Sequence, residues 1–183
     1  ASGNPVAIAT GSDGQVLTSA GAGQPCAFEA LPAGVIVQIV KTVDATKVTG
    51  TTTVPLDNTI PTNSEGFAYS QLDTAITPTH ASNIIRVQAL VQATQGASII
   101  GTLALYQDSG ACIALTAMTG GGSGHCTPLA LNYYMAAGST SARTYKLRVG
   151  QHSSATYTIN GHNGNSYWGG VLISNMTITE IAV

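Results

Sequence analysis

Charge is what this sequence lacks. Its 183 residues hold six Lys and Arg against eight Asp and Glu, so only 8% are charged, where an ordinary soluble domain has about 25%. The balance of −2 offers no electrostatic basis for gripping phosphates, and no nucleic-acid partner is expected. Scarce Glu, Lys and Arg also exclude a long helical bundle or coiled coil, whose exposed faces are made of those residues. Disorder is excluded by the opposite count, since 44% of the residues are hydrophobic. No apolar run reaches the ~18 residues of a membrane-spanning helix, so no membrane partner is expected. The opening residues carry neither a basic n-region nor an apolar h-region and are not expected to act as a signal peptide. Cysteine is sparse and odd in number: Cys26, Cys112 and Cys126. Such a set makes no disulfide framework. Three buried thiols are the simplest expectation, with a Cys112–Cys126 bridge between adjacent strands as the alternative.

Glycine and small polar residues take the vacant share, and they divide the chain in two. Residues 1–34 carry Gly11, Gly14, Gly21, Gly23 and Gly34 with Pro25 and Pro32, and show no sustained period of 2 or 3.6. Such punctuation predicts an extended anchoring arm, ordered where another surface receives its few apolar residues, Val16, Leu17, Phe28 and Leu31. From residue 35 the period becomes 2. The clearest strand is predicted over 84–93, where Ile85, Val87, Ala89, Val91 and Ala93 alternate with Arg86, Gln88, Leu90 and Gln92. Others are predicted over 35–40, 99–106, 112–118, 129–135, 145–149, 156–159 and 171–181, with turn residues between them. Eight or nine short strands and no amphipathic helix predict an all-β knob over 35–183, an antiparallel β-sandwich or jelly roll.

The motifs of catalysis are missing. The eight carboxylates are scattered singly and read as loop and strand-edge acids, with no local pair of the kind glycoside hydrolysis needs. His80, His125, His152 and His162 fall into no metal-ligand spacing, and His125-Cys126 would point to opposite faces of a strand. The run Gly120-Gly121-Gly122-Ser123-Gly124 lacks the Lys and following helix of a phosphate loop and reads as a hairpin tip. There is no G-x-S-x-G. The expectation is therefore no enzyme, no metal and no cofactor. One loop is chemically distinctive: Asn160, His162, Asn163 and Asn165 lead into Tyr167 and Trp168, the only Trp. In the simpler reading Trp168 closes one end of the core. In the other, these residues with His125 form a face on which a host glycan stacks and is held by amides.

Several segments together resemble a known class. Gly14-Gln15-Val16-Leu17-Thr18-Ser19-Ala20-Gly21-Ala22-Gly23 with Phe28 and Leu31-Pro32-Ala33-Gly34, the run Leu72–Pro78 followed by Asn83–Val87, and the ending Met176–Ile181 resemble segments of tailed-bacteriophage fibre and virion-surface proteins, where they frame a β-knob. The resemblance implies a homotrimer in the virion, either decorating the capsid or binding a receptor. Family members on tail fibres usually end a long shaft, whereas a 34-residue arm alone precedes this knob. That moves a capsid decoration (cement) protein or short head fibre ahead of a tail-fibre receptor-binding knob. An arm of this length reaches at most ~110 Å, enough to cross neighbouring subunits of a shell. Its expected partners are then other copies of itself and a major capsid protein or another virion protein. Low charge fits that reading, since buried interface centres are depleted of charged residues.

Overall fold

A computed structural model describes residues 8–12, 15–19, 21–96, 100–119 and 124–183. Most of the expected glycine-run hairpin tip, residues 120–123, lies outside them, as do residues 1–7, 13, 14 and 20 of the arm. Among the described residues there are thirteen strands: β1 (Gln15–Thr18), β2 (Ala27–Ala30), β3 (Ile36–Asp44), β4 (Val48–Gly50), β5 (Phe67–Ala68), β6 (Thr74–Ile76), β7 (Ile84–Gln95), β8 (Ile100–Gln107), β9 (Cys112–Thr119), β10 (Cys126–Ala136), β11 (Arg143–Gln151), β12 (Tyr157–Ile159) and β13 (Ser174–Ile181). The helical residues described are one single 3₁₀ turn, Ser70–Leu72, while Trp168–Gly170 form a left-handed turn.

Pairing reduces the strands from β3 onward to eight positions. β13 and β12 lie end to end along one side of β7, and β3 and β4 lie end to end beyond them. β6 and β5 likewise share one side of β11. A front sheet then runs β10, β7, β13/β12, β3/β4, and a back sheet runs β9, β8, β11, β5/β6. In chain order the first position pairs with the eighth, the second with the seventh, the third with the sixth and the fourth with the fifth. That nested antiparallel pairing is the jelly roll. The fold class expected from the sequence is therefore the one found.

The alternation of β7 explains why the sheets stack. Ile85, Val87, Ala89 and Val91 are buried and face inward, while Arg86, Gln88, Leu90 and Gln92 face outward and are half-buried. Across the interior, Leu103, Leu105, Tyr145, Leu147 and Val149 complete the same core. Each fully buried Leu contributes about 1.5–3 kcal/mol. β8 is buried on both faces, because the segment 51–66 drapes over the outside of the back sheet. It is held there by Val54 N–H to Gln151 O (2.9 Å), Cys112 N–H to Pro61 O (3.0 Å) and Tyr106 Oη–H to Thr62 O (3.0 Å). Burial pushes the Tyr106 phenol up to about 12.

Three local expectations are corrected. The arm contains a β-hairpin, β1 against β2, pairing Gln15 with Ala30 through Thr18 with Ala27. Four-residue strands are too short to show a period. The last strand starts at Ser174, since Val171–Ile173 belong to a loop. The thiols are free but not buried: Cys26 and Cys126 are exposed and Cys112 is half-buried, its pKa raised by that burial.

Candidate functional site

Three surfaces carry the residues that the sequence singles out. The first is the arm hairpin. Phe28 packs on Gly11 so closely that a Cβ there would lie 2.5 Å from the ring. Phe28 and Leu31 are half-buried, while Val16 is 37% and Leu17 51% exposed. The arm joins the body at its base, where Gly34 N–H donates to Ala182 O (2.8 Å) and Ala182 N–H to Val35 O (2.9 Å). A cleft of about 600 Å³ separates the two there, with Gln15, Ala30 and Leu31 on one side and Thr77, His80 and Val183 on the other. A two-stranded hairpin is marginal in water by itself, and this one exposes an apolar residue on each face, Val16 on one and Leu17 on the other.

The second surface is the excursion between β12 and β13, residues 160–173. Asn160 anchors it. With φ at +53°, its amide donates to Tyr69 Oη (2.8 Å) and Asp44 O (3.0 Å), and its Oδ1 accepts from Ser174 Oγ (2.7 Å). Tyr69 Oη donates in turn to Asp44 Oδ2 (2.6 Å). Burial first, and the Asp44 carboxylate second, push the Tyr69 phenol well above its ordinary value. Asn160 is 3% exposed, so it is a structural knot and faces no ligand, which corrects its place in the glycan-facing set.

Beyond it the loop doubles back. His162 and Asn165 exchange backbone bonds of 3.0 and 2.9 Å around Asn163 and Gly164. Both central residues have positive φ, 47° and 79°, as a type I′ turn requires and Asn-Gly supplies. Thr94 Oγ1 donates to Gly161 O (2.7 Å), and Lys47 Nζ to Gly164 O (3.1 Å). His162 Nε2 and Gly124 O lie 2.7 Å apart, which brings the loop beside His125. His125, Asn163 and Asn165 are exposed.

Past this pinned turn, Tyr167 and Trp168 stand 47% and 58% exposed with ring centroids 5.7 Å apart, and the His162 ring meets Tyr167 edge-on at 6.0 Å. Trp168 therefore closes no part of the core, which overturns the simpler reading. Its own φ is +55°, followed by Gly169 at +61° and Gly170 at +82°. A left-handed Trp costs about 1–2 kcal/mol, tolerated here because two glycines complete the turn.

The third surface went unseen in the sequence. The excursion is bonded to the upper end of the front sheet, to Thr94 and to Lys47 at its edge, while apolar residues lower on the sheet stay exposed. Ile36, Ile39 and Val43 of edge strand β3 are 55%, 57% and 49% exposed, and Tyr134 of β10 is 51% exposed. The signal was present as continued alternation of apolar residues on both faces of β3.

Glu180 is a further correction: it is no edge acid but fully buried. It accepts from Thr79 N–H (2.8 Å), Thr79 Oγ1 (2.9 Å), Asn83 Nδ2 (2.7 Å) and Gln38 Nε2. Burial pushes this carboxyl upward, but those hydrogen bonds together outweigh it and hold its pKa below the ordinary value. Among the described residues, no three His, Cys, Asp or Glu converge as a metal-binding group.

No family model matches the chain, and no curated protein matches it. Among solved structures it is similar to the VP2 subviral particle of infectious bursal disease virus, at 12% identity and a TM-score of 0.36, over 96% of this chain and 46% of that one. It is also similar to a structure of the Gx strain of the same virus, at 10% identity and a TM-score of 0.36, over 91% and 43%. The chain spans less than half the length of either.

Proposed function

We propose that this chain is a non-enzymatic structural protein of a bacteriophage virion: a homotrimeric capsid decoration protein or short head fibre, anchored by its arm and stabilising the shell. The observation that carries the reading is the placing of the arm. Its hairpin leaves from the base of the jelly roll, stands off the body across a cleft, and leaves Val16 on one face and Leu17 on the other exposed. An apolar hairpin with free edges gains stability by adding to a neighbour's sheet and burying its anchors there. Three arms on one trimer bind with avidity, because the second and third attach at high effective concentration. Among the described residues, the buried core contains none before Val54, and its half-buried margin none before Val40. Removing residues 1–34 is therefore expected to leave a folded body that no longer binds purified phage shells. A truncated protein that still decorates shells would falsify the proposal.

A second reading, host recognition, is favoured by one specific observation. Tyr167 and Trp168 are held outward by a pinned loop with the amides of Asn163 and Asn165 beside them, an arrangement suited to stacking on a glycan. Binding on a glycan array that disappears in Trp168→Ala would support it; an array with no hits for the wild type would remove it.

A further inference from the structure

The two outer sides of the sandwich differ in charge. Three of the chain's six cations, Lys41, Lys47 and Arg86, belong to the front sheet or its edge. The two carboxylates of that sheet are engaged within the protein, Asp44 with Tyr69 and Thr46, and Glu180 in its buried clamp. The back side, made of the outer face of the back sheet with its draped segment and turns, carries exposed Asp57, Asp73 and Asp108 and half-buried Glu65 against Lys146 and Arg148; Asp57, Glu65 and Asp108 each accept from a threonine N–H, and Arg148 donates to Glu65 O and Gly66 O. That side also exposes Leu56 (71%), Ile60 (69%) and Leu115 (42%).

We propose that copies of this chain pack head to tail, the exposed lower part of one front sheet against the back side of the next. The proposal rests on the homotrimeric reading above and names its surfaces. A front-to-front contact would set Lys41 and Arg86 against their own copies; front-to-back sets them against acids and joins apolar residues on both sides. The exposed front patch spans about eight residues of strand and four strands, roughly 500 Å² at ~3.3 Å per residue and ~4.8 Å per strand. That is about 60% of the ~800 Å² that each partner contributes to a standard interface, before side-chain relief and the adjoining Val171 and Ile173 are counted. An assembly axis parallel to the strands keeps every base, and so every arm, at the same end. Contacts of this unlike kind form rings when the rotation closes and filaments when it does not.

The test uses the full chain and its mass by light scattering across a dilution series. Lys41→Glu with Arg86→Glu on the front, or Asp57→Lys with Asp73→Lys on the back, is expected to raise the dissociation constant at least tenfold. All four together are expected to restore it, with circular dichroism showing a native melt throughout. A trimer unmoved by either pair overturns these surfaces and keeps the trimer. An open filament weakened by both pairs keeps the surfaces and overturns threefold closure. A wild-type monomer at micromolar concentration overturns both.

Discussion

The Glu180 clamp sets a quantitative test of how the base of the body is held. Glu180→Ala removes the acceptor of five donors, the four above and His80 N–H (3.4 Å), while Asn83, 6% exposed, stays buried with only its longer bond to Thr79 Oγ1 (3.3 Å). Hydrogen bonds to a charged group contribute about 1.5–3 kcal/mol each and are not additive. The carboxylate's own desolvation cost is recovered in the variant. The net loss is expected at ~3–4 kcal/mol, near the range for breaking a buried charged network. For a chain of this size each kcal/mol moves Tm by about 2–4 °C, so a fall of roughly 6–16 °C is expected. Glu180→Gln is milder. Its amide can still accept from Thr79 and Asn83 through one oxygen, but it turns a donor toward Gln38, which must flip and give up its bond to Thr77 O. A loss of ~1–2 kcal/mol is expected.

Wild type and the variants also separate by pH. The folded carboxyl has a depressed pKa, so its stabilisation is complete above the unfolded value of about 4.3 and is lost as pH falls through the folded value. The gap between wild type and Glu180→Gln should accordingly narrow below pH ~4. Calorimetric melts from neutral to acid pH measure it. An alanine variant melting within 3 °C of wild type, or a gap that does not change with acid, would refute the reasoning.

Other predictions follow from close contacts and exposures. A Cβ at Gly101 would fall 1.9 Å from Tyr157 Oη, so Gly101→Ala should cost about 2–4 kcal/mol in denaturant unfolding. Asn160→Ala removes the knot under the 160–173 loop and places Ala at positive φ; a loss of ~3 kcal/mol is expected, with hydrogen exchange rising in that loop. Asn160→Gly, which tolerates the backbone, should lose less. Trp168→Ala should leave Tm unchanged within about 2 °C, because the exposed ring contributes little to the core.

The long strands were legible because their alternation persists. β7 reads as one strand from Ile84 onward, and the predicted strands fall on β8 to β11 over the described residues between 100 and 149. The short pieces were not: β4, β5 and β6 hold two or three residues each, fewer than one repeat of a pattern, and gain their form from β12 and β11. Glu180 was legible in principle, since Met176, Ile178 and Glu180 share the inward parity, but a carboxylate in that place reads as an edge unless its donors are known. Those donors are remote: Gln38 is 142 residues away and Asn83 is 97. Trp168 was misplaced for the converse reason. A large aromatic is normally buried, and only the left-handed turn through Gly169 and Gly170 carries it outward.

The central claim, a structural place in the virion with the arm toward the shell, is tested most directly by imaging intact particles with a labelled antibody raised against residues 35–183. The account predicts label distributed over the capsid surface, with densities of three bodies standing above the seams between subunits. Particles without label, or label confined to the tail, would contradict it.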